Sequence, residues 1–79
     1  MIEEALEHLV KGIVDHPDDV RVRDRNQRRG RSLEVRVHPQ DMGRVIGKAG
    51  RTAGALRSVI GALPGGRGLR VDFYDSSER

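Results

Sequence analysis

Two glycines separated by two residues, Gly47-Lys48-Ala49-Gly50, lie between two short apolar segments and carry the most specific chemistry in this chain. Glycine tolerates positive φ and has no Cβ, so a backbone built from it approaches a ligand closely. A helix starting near Arg51 would expose amides that lack intrahelical acceptors, at the positive end of its dipole, and such amides suit an anion. Lys48 and Arg51 add full positive charges beside them. A plain connection between two helices would also use glycines, and the flanking cations are what favour a phosphate cradle.

The other reactive side chains assemble no catalytic pattern. A nucleotide-binding P-loop needs four residues between its glycines and then Lys followed by Ser or Thr. Here three residues separate Gly43 from Gly47, and Ala49 replaces the hydroxyl that would hold magnesium. There is no cysteine, which removes disulfides, thiolate metal sites and a thiol nucleophile, and fits a reducing compartment. His8, His16 and His38 fall on three different elements without metal-ligand or base–nucleophile spacing, and read as surface histidines. The expectation is a non-enzymatic protein with no metal and no cofactor.

Charge is segregated along the chain. Residues 1–20 sum to −5, residues 21–70 carry thirteen Arg or Lys against three acids for +10, and the last nine sum to −2. A central field of that sign concentrates polyanions by Coulomb attraction and counterion release. Thirteen of the fifteen basic residues are arginine, so an arginine-biased genome would account for part of the pattern. No stretch is apolar enough to span a bilayer, and Glu3, Glu4 and Glu7 spoil the basic start of a secretion signal, which gives a cytoplasmic expectation.

The elements that must position the loop follow from periodicity. Ile2, Leu6, Leu9 and Ile13, with Val10, predict an amphipathic helix over residues 2–14 that stops at His16-Pro17. Val20 and Val22 predict a short strand. Residues 24–31 contain no apolar side chain and read as an exposed, mobile hairpin loop. Leu33, Val35 and Val37 alternate with Glu34, Arg36 and His38 as the clearest strand, closed by Pro39, which suits the first turn of a helix. Asp41 then falls where that helix's dipole favours a carboxylate. A third helix from Arg51 presents Leu56, Val59, Ile60 and Leu63 at i, i+3, i+4 and i+7, is weakened by Gly54 and Gly61, and ends at Pro64-Gly65-Gly66. Leu69, Val71 and Phe73 alternate as a last strand. The prediction is an α+β fold, α-β-β-α-α-β, in two layers, with three helices on a three-stranded sheet whose last two strands are parallel. One domain spans the chain, with a core at residues 2–74 and a fraying tail at 75–79, and a domain this size buries only about 60% of its unfolded surface.

The run Val45-Ile46-Gly47-Lys48-Ala49-Gly50, a hydrophobic pair followed by Gly-x-x-Gly between helices, resembles the KH family, and the element order resembles its type II arrangement. A closer resemblance, through Asp15-His16-Pro17-Asp18 and the run from Pro39 to Lys48, is to small stand-alone bacterial KH proteins of the KhpA type, over residues 2–74. The family likeness implies a loop that clamps about four nucleotides of backbone, with bases in an adjoining apolar groove. Carried onto this sequence, Gly47, Lys48, Ala49 and Gly50 would hold phosphates, flanked by Arg44 and Arg51. Ile46, Thr52 and Leu56 would contribute to the groove wall, although simple core packing explains Ile46 and Leu56 equally well. Arg28, Arg29 and Arg31 would sit in a variable loop, where solubilising charge is the plain alternative. Many KH motifs place Ile three residues after the second glycine, and Ala53 here would leave the groove shallower or less apolar.

The resemblance further implies a single-stranded RNA-binding protein acting as an RNA chaperone or post-transcriptional regulator, with consequences for cell shape and division. It also implies a homodimer, or a heterodimer with a larger KhpB-type KH protein, so protein pairing is the second hypothesis. A helix-turn-helix made from residues 41–62, with Arg51 and Arg57 facing a DNA groove, is a third, opposed by Gly54 and Gly61 in the recognition helix. An RRM would need several aromatics on its sheet, and only Phe73 and Tyr74 are present.

Overall fold

Alternation of β-branched and charged residues from Leu33 to Val37 builds the central strand, and a second such run from Val71 pairs with it. In a computed structural model, six main elements follow in the order α1 (Ile2–Lys11), β1 (Arg21–Gln27), β2 (Gly30–Val37), α2 (Met42–Ile46), α3 (Arg51–Ala62) and β3 (Arg70–Asp75). Short 3₁₀ turns at Pro17–Asp19, Pro39–Asp41 and Lys48–Gly50 join them. The structure describes residues 1–28 and 30–77, with the backbone alone at Gln27. Expectations for Arg29 and for the end of the tail lie outside the described residues.

The sheet order is β1-β2-β3, with β1 antiparallel to β2 and β2 parallel to β3. Strand period two sends Leu33, Val35 and Val37 to one face, where they meet Val20, Val71 and the partly buried Val22 and Phe73. Leu6 and Val10 of α1, Val45 of α2, and Ala53, Leu56 and Ile60 of α3 cover that face. The result is the expected two-layer α+β sandwich of type II KH form. Among the described residues no helix is long and apolar enough to cross a membrane.

Two boundaries and one buried stripe differ from the sequence reading. Helix α1 stops at Lys11, because Gly12, a poor helix former, takes the cap and donates to the His8 and Leu9 carbonyls, each at 3.2 Å. Ile13 is consequently exposed. Residues 24–31 are mostly ladder rather than loop, since Asp24, Arg25, Asn26 and Gln27 pair with Leu33, Ser32, Arg31 and Gly30. This end of the sheet projects beyond the core, so both faces are wet and the apolar alternation vanishes while the backbone bonds continue. Val59 turns outward, 46% exposed, and the buried stripe of α3 runs through Ala53, Leu56 and Ile60 instead.

A candidate nucleic-acid interface at the glycine loop

Helix α2 has only five residues, too few to hold its own orientation, and an anchor outside the helix sets it. Asp41 is fully buried. It takes the N-cap position of α2, where the dipole favours a carboxylate, but its carboxylate makes no cap hydrogen bond there. It accepts the backbone N–H of Asp15 at 3.2 Å and of His16 at 2.9 Å, and lies 3.1 Å from His16 Nδ1. Burial pushes the Asp41 pKa up, but these hydrogen bonds outweigh it and hold the carboxyl below its ordinary value. The His16 ring stacks on His38, centroids 3.9 Å apart, and His38 Nδ1 accepts the Gln40 N–H at 3.0 Å. His16 and His38 are therefore half-buried partners rather than independent surface histidines. Among the described residues no group of three or more His, Cys, Asp or Glu is placed to hold a metal ion.

With α2 pinned, the chain reverses through residues 47–50. Gly47 (φ 76°, ψ 171°) and Gly50 (φ 76°, ψ 14°) take conformations that favour glycine, and Ala49 (φ 56°) enters the left-handed region at a cost of about 1 kcal/mol. The turn closes through the Gly50 N–H to the Gly47 carbonyl at 3.1 Å. Lys48, Ala49 and Arg51 are exposed, so two cations flank a bare backbone segment at the start of α3. Thr52 is half-buried against Gly47 and shapes the loop from beneath.

The remaining expected site residues divide. Arg44 is exposed beside the loop and pairs with Asp15 at 3.2 Å. Ile46 is half-buried and packs against the core, and Leu56 belongs to the core cluster at 8% exposure. Ala53 is 2% exposed and fills core rather than groove. Arg28 and Arg31 are not gathered with the glycine loop. Arg31 lies beside Gly65, Arg67, Gly68 and Leu69 at the far end of α3, about 18 Å away at 1.5 Å per residue, and pairs with Asp24.

A seam between α3 and β3 supplies residues that sequence reasoning did not place at the site. The Arg57 Nε–H donates to the Val71 carbonyl at 3.0 Å, and its guanidinium sits 5.4 Å from the Phe73 ring centroid. Arg57, Leu69, Arg70, Val71 and Asp72 line a depression of about 340 Å³, and Leu69 links it to a smaller one of about 200 Å³ bearing Arg31 and Arg67. Arginines thus follow α3 from the glycine loop to the start of β3. The alternation of Leu69, Val71 and Phe73 signalled the strand, but only the packing of α3 against it brings Arg57 into line.

A family model described as KhpA/KhpB, KH domain, matches residues 3–72. The RNA-binding protein KhpA of Streptomyces coelicolor is 73% identical over 75 residues, covering 95% of this chain and 94% of that protein. RNA-binding proteins KhpA from Mycobacterium tuberculosis and Halalkalibacterium halodurans are 56% and 50% identical, over 99% and 89% of this chain and 96% and 95% of their own. No solved structure gives a significant match.

Proposed function

The chain belongs to the KhpA/KhpB family of KH domains, and on that footing we propose that it binds single-stranded RNA, gripping the backbone with residues 47–50. It is a binding module and not an enzyme. The observation that carries the reading is the exposed, positive-φ turn at the start of α3, flanked by Lys48 and Arg51. A phosphate seated there meets the positive end of the helix dipole and two full charges. Arg44 exchanges its Asp15 carboxylate for a second phosphate, and the Arg57 seam receives the next nucleotides. Backbone contacts dominate such a site, so sequence preference is modest, as suits an RNA chaperone or post-transcriptional regulator acting on growth and division in the cytoplasm.

Fluorescence anisotropy with a labelled single-stranded RNA, on wild type and Lys48→Asp/Ala49→Asp, tests this reading. Aspartate tolerates the left-handed region better than most residues, so the variant keeps its fold, which circular dichroism verifies. Binding collapses in the variant if the loop is the clamp, and persists if RNA contact lies elsewhere. Wild-type affinity should also fall with salt, with a slope of about 0.7 per phosphate engaged.

Pairing with another KH protein is a second role, favoured by one feature. Met1, Ile2, Ala5, Leu63 and Pro64 line an apolar depression of about 300 Å³, remote from the glycine loop. A clamp contacting few nucleotides gains effective affinity when two are joined, in a homodimer or with a larger KhpB-type protein. Light-scattering mass with and without RNA distinguishes a standing dimer from an RNA-induced one.

A further inference from the structure

The helices cover one face of the sheet, and the other face is open and arginine-rich. Register places Arg21, Arg23 and Arg25 of β1, Arg36 of β2 and Arg70 of β3 on it, against two acids, Glu34 and Asp72. The three β1 arginines repeat every second residue, about 7 Å apart, as a cationic row along the sheet edge opposite β3. Arg21, Arg23, Arg25 and Arg70 are exposed. Glu34, its side chain 12% exposed, sits at the centre with Arg25 at 3.4 Å and Arg36 at 3.2 Å, so one carboxylate holds two guanidinium groups together.

We propose that this open sheet face is a second RNA-binding surface, which contacts the phosphates of a strand other than the one in the glycine loop. The inference rests on the RNA-binding reading above. Guanidinium groups in a row suit phosphate through bidentate hydrogen bonds. A protein partner would need an apolar centre to its footprint. Among the described residues the exposed large hydrophobics are Met1, Ile13 and Val59, and none lies on these strands. Tyr74, the aromatic side chain on this face, is half-buried with the Arg36 guanidinium 5.4 Å from its ring centroid, so it offers no open platform for base stacking and contact is to the backbone. The glycine loop belongs to the helical layer and the β1 row lies on the opposite side of the sheet, so these two look in different directions, whereas Arg70 at the β3 edge also lines the α3–β3 seam. One molecule therefore holds two RNA segments and joins them, the elementary act of a chaperone that promotes annealing.

The test is annealing of two complementary RNA 20-mers carrying a donor and an acceptor dye, with anisotropy of a single U12 strand measured in parallel. The sheet variant is Arg23→Gln/Arg25→Gln, remote from the α3–β3 seam, and the loop variant is Lys48→Asp/Ala49→Asp. The sheet variant should bind U12 within about two-fold of wild type while its annealing rate falls at least about five-fold, with a shallower salt dependence. Glu34→Gln, which removes the negative charge beside Arg25 and Arg36, should accelerate annealing. Loss of U12 binding in the loop variant bears on the glycine loop and leaves the sheet proposal to its own variant. Wild-type annealing by the sheet variant overturns the proposal, since a dimer of glycine loops would also join strands but would not sense charge on β1. If annealing is unchanged while binding to polyglutamate is lost, the face serves an acidic protein and the RNA assignment falls.

Discussion

Gly47 and Thr52 are in such close contact that a Cβ at position 47 would stand 2.7 Å from the Thr52 Cβ and 2.8 Å from its backbone nitrogen. The first glycine of the loop is therefore required twice, by this approach and by its φ of 76°. Gly47→Ala should cost about 2–3 kcal/mol in urea unfolding. Adding Thr52→Ala removes the hydroxyl but leaves the Cβ contact, the backbone contact and the φ, so only a small part of the loss returns. Full recovery would refute the conformational half of the argument.

Glycines further along α3 behave in the opposite way. A Cβ at Gly54 or Gly61 meets nothing within 4 Å, and neither has positive φ. Gly54→Ala and Gly61→Ala should each raise stability by about 0.5–1 kcal/mol through helix propensity. Gly54 lies one turn beyond the glycine loop, so RNA affinity measured on the same two variants reports whether the ligand needs its missing Cβ.

Gly66 joins α3 to β3 and is buried, although its sequence context reads as an open turn. An added Cβ would fall 2.8 Å from the Ile60 carbonyl carbon and 2.9 Å from Ile2 Cδ1. Gly66→Ala should destabilise the fold by about 2 kcal/mol, whereas Gly65→Ala meets no neighbour and suffers only from its φ of 83°. Thermal unfolding of the pair separates crowding from backbone strain.

The Asp41 carboxylate predicts a pH dependence with a definite sign. Its folded pKa lies below the ordinary value of 3.8, so its contribution is complete above that value and is lost as pH falls through the lower folded one. Asp41→Asn should lower Tm at pH 7 by roughly 5–15 °C, and the gap to wild type should narrow below pH 3.8. A gap independent of pH would mean that the hydrogen bonds to Asp15 and His16 do not depend on the charge.

Arg57 links stability to binding. Arg57→Ala removes the bond to the Val71 carbonyl and the contact with Phe73, for a loss of about 1 kcal/mol. Arg57→Lys keeps the charge but loses the guanidinium geometry. If the seam takes RNA through charge, the lysine variant recovers most of the affinity and little of the stability; if it recovers neither, the planar group itself is the contact.

The sequence alone determined the element order and the loop at residues 47–50, because each is encoded locally, and the parallel pairing of the last two strands follows from that order, since strands joined through helices cross over. Period two at Leu33, Val35 and Val37, the prolines at positions 17, 39 and 64, and two glycines with intervening cations are all short-range signals. Tertiary structure decided what depends on residues distant in the chain. Asp41 reads locally as a helix-start carboxylate, yet it bonds to amides 25 and 26 residues earlier, since a buried carboxylate goes where unsatisfied N–H groups are. The polar run at residues 24–31 reads as loop, yet most of it continues the ladder, because backbone hydrogen bonds do not require apolar side chains. Arg31 and Arg57 differ in position for the same reason. The direction of α3 against the sheet sends Arg31 to its far end and sets Arg57 on the seam beside Val71 and Phe73.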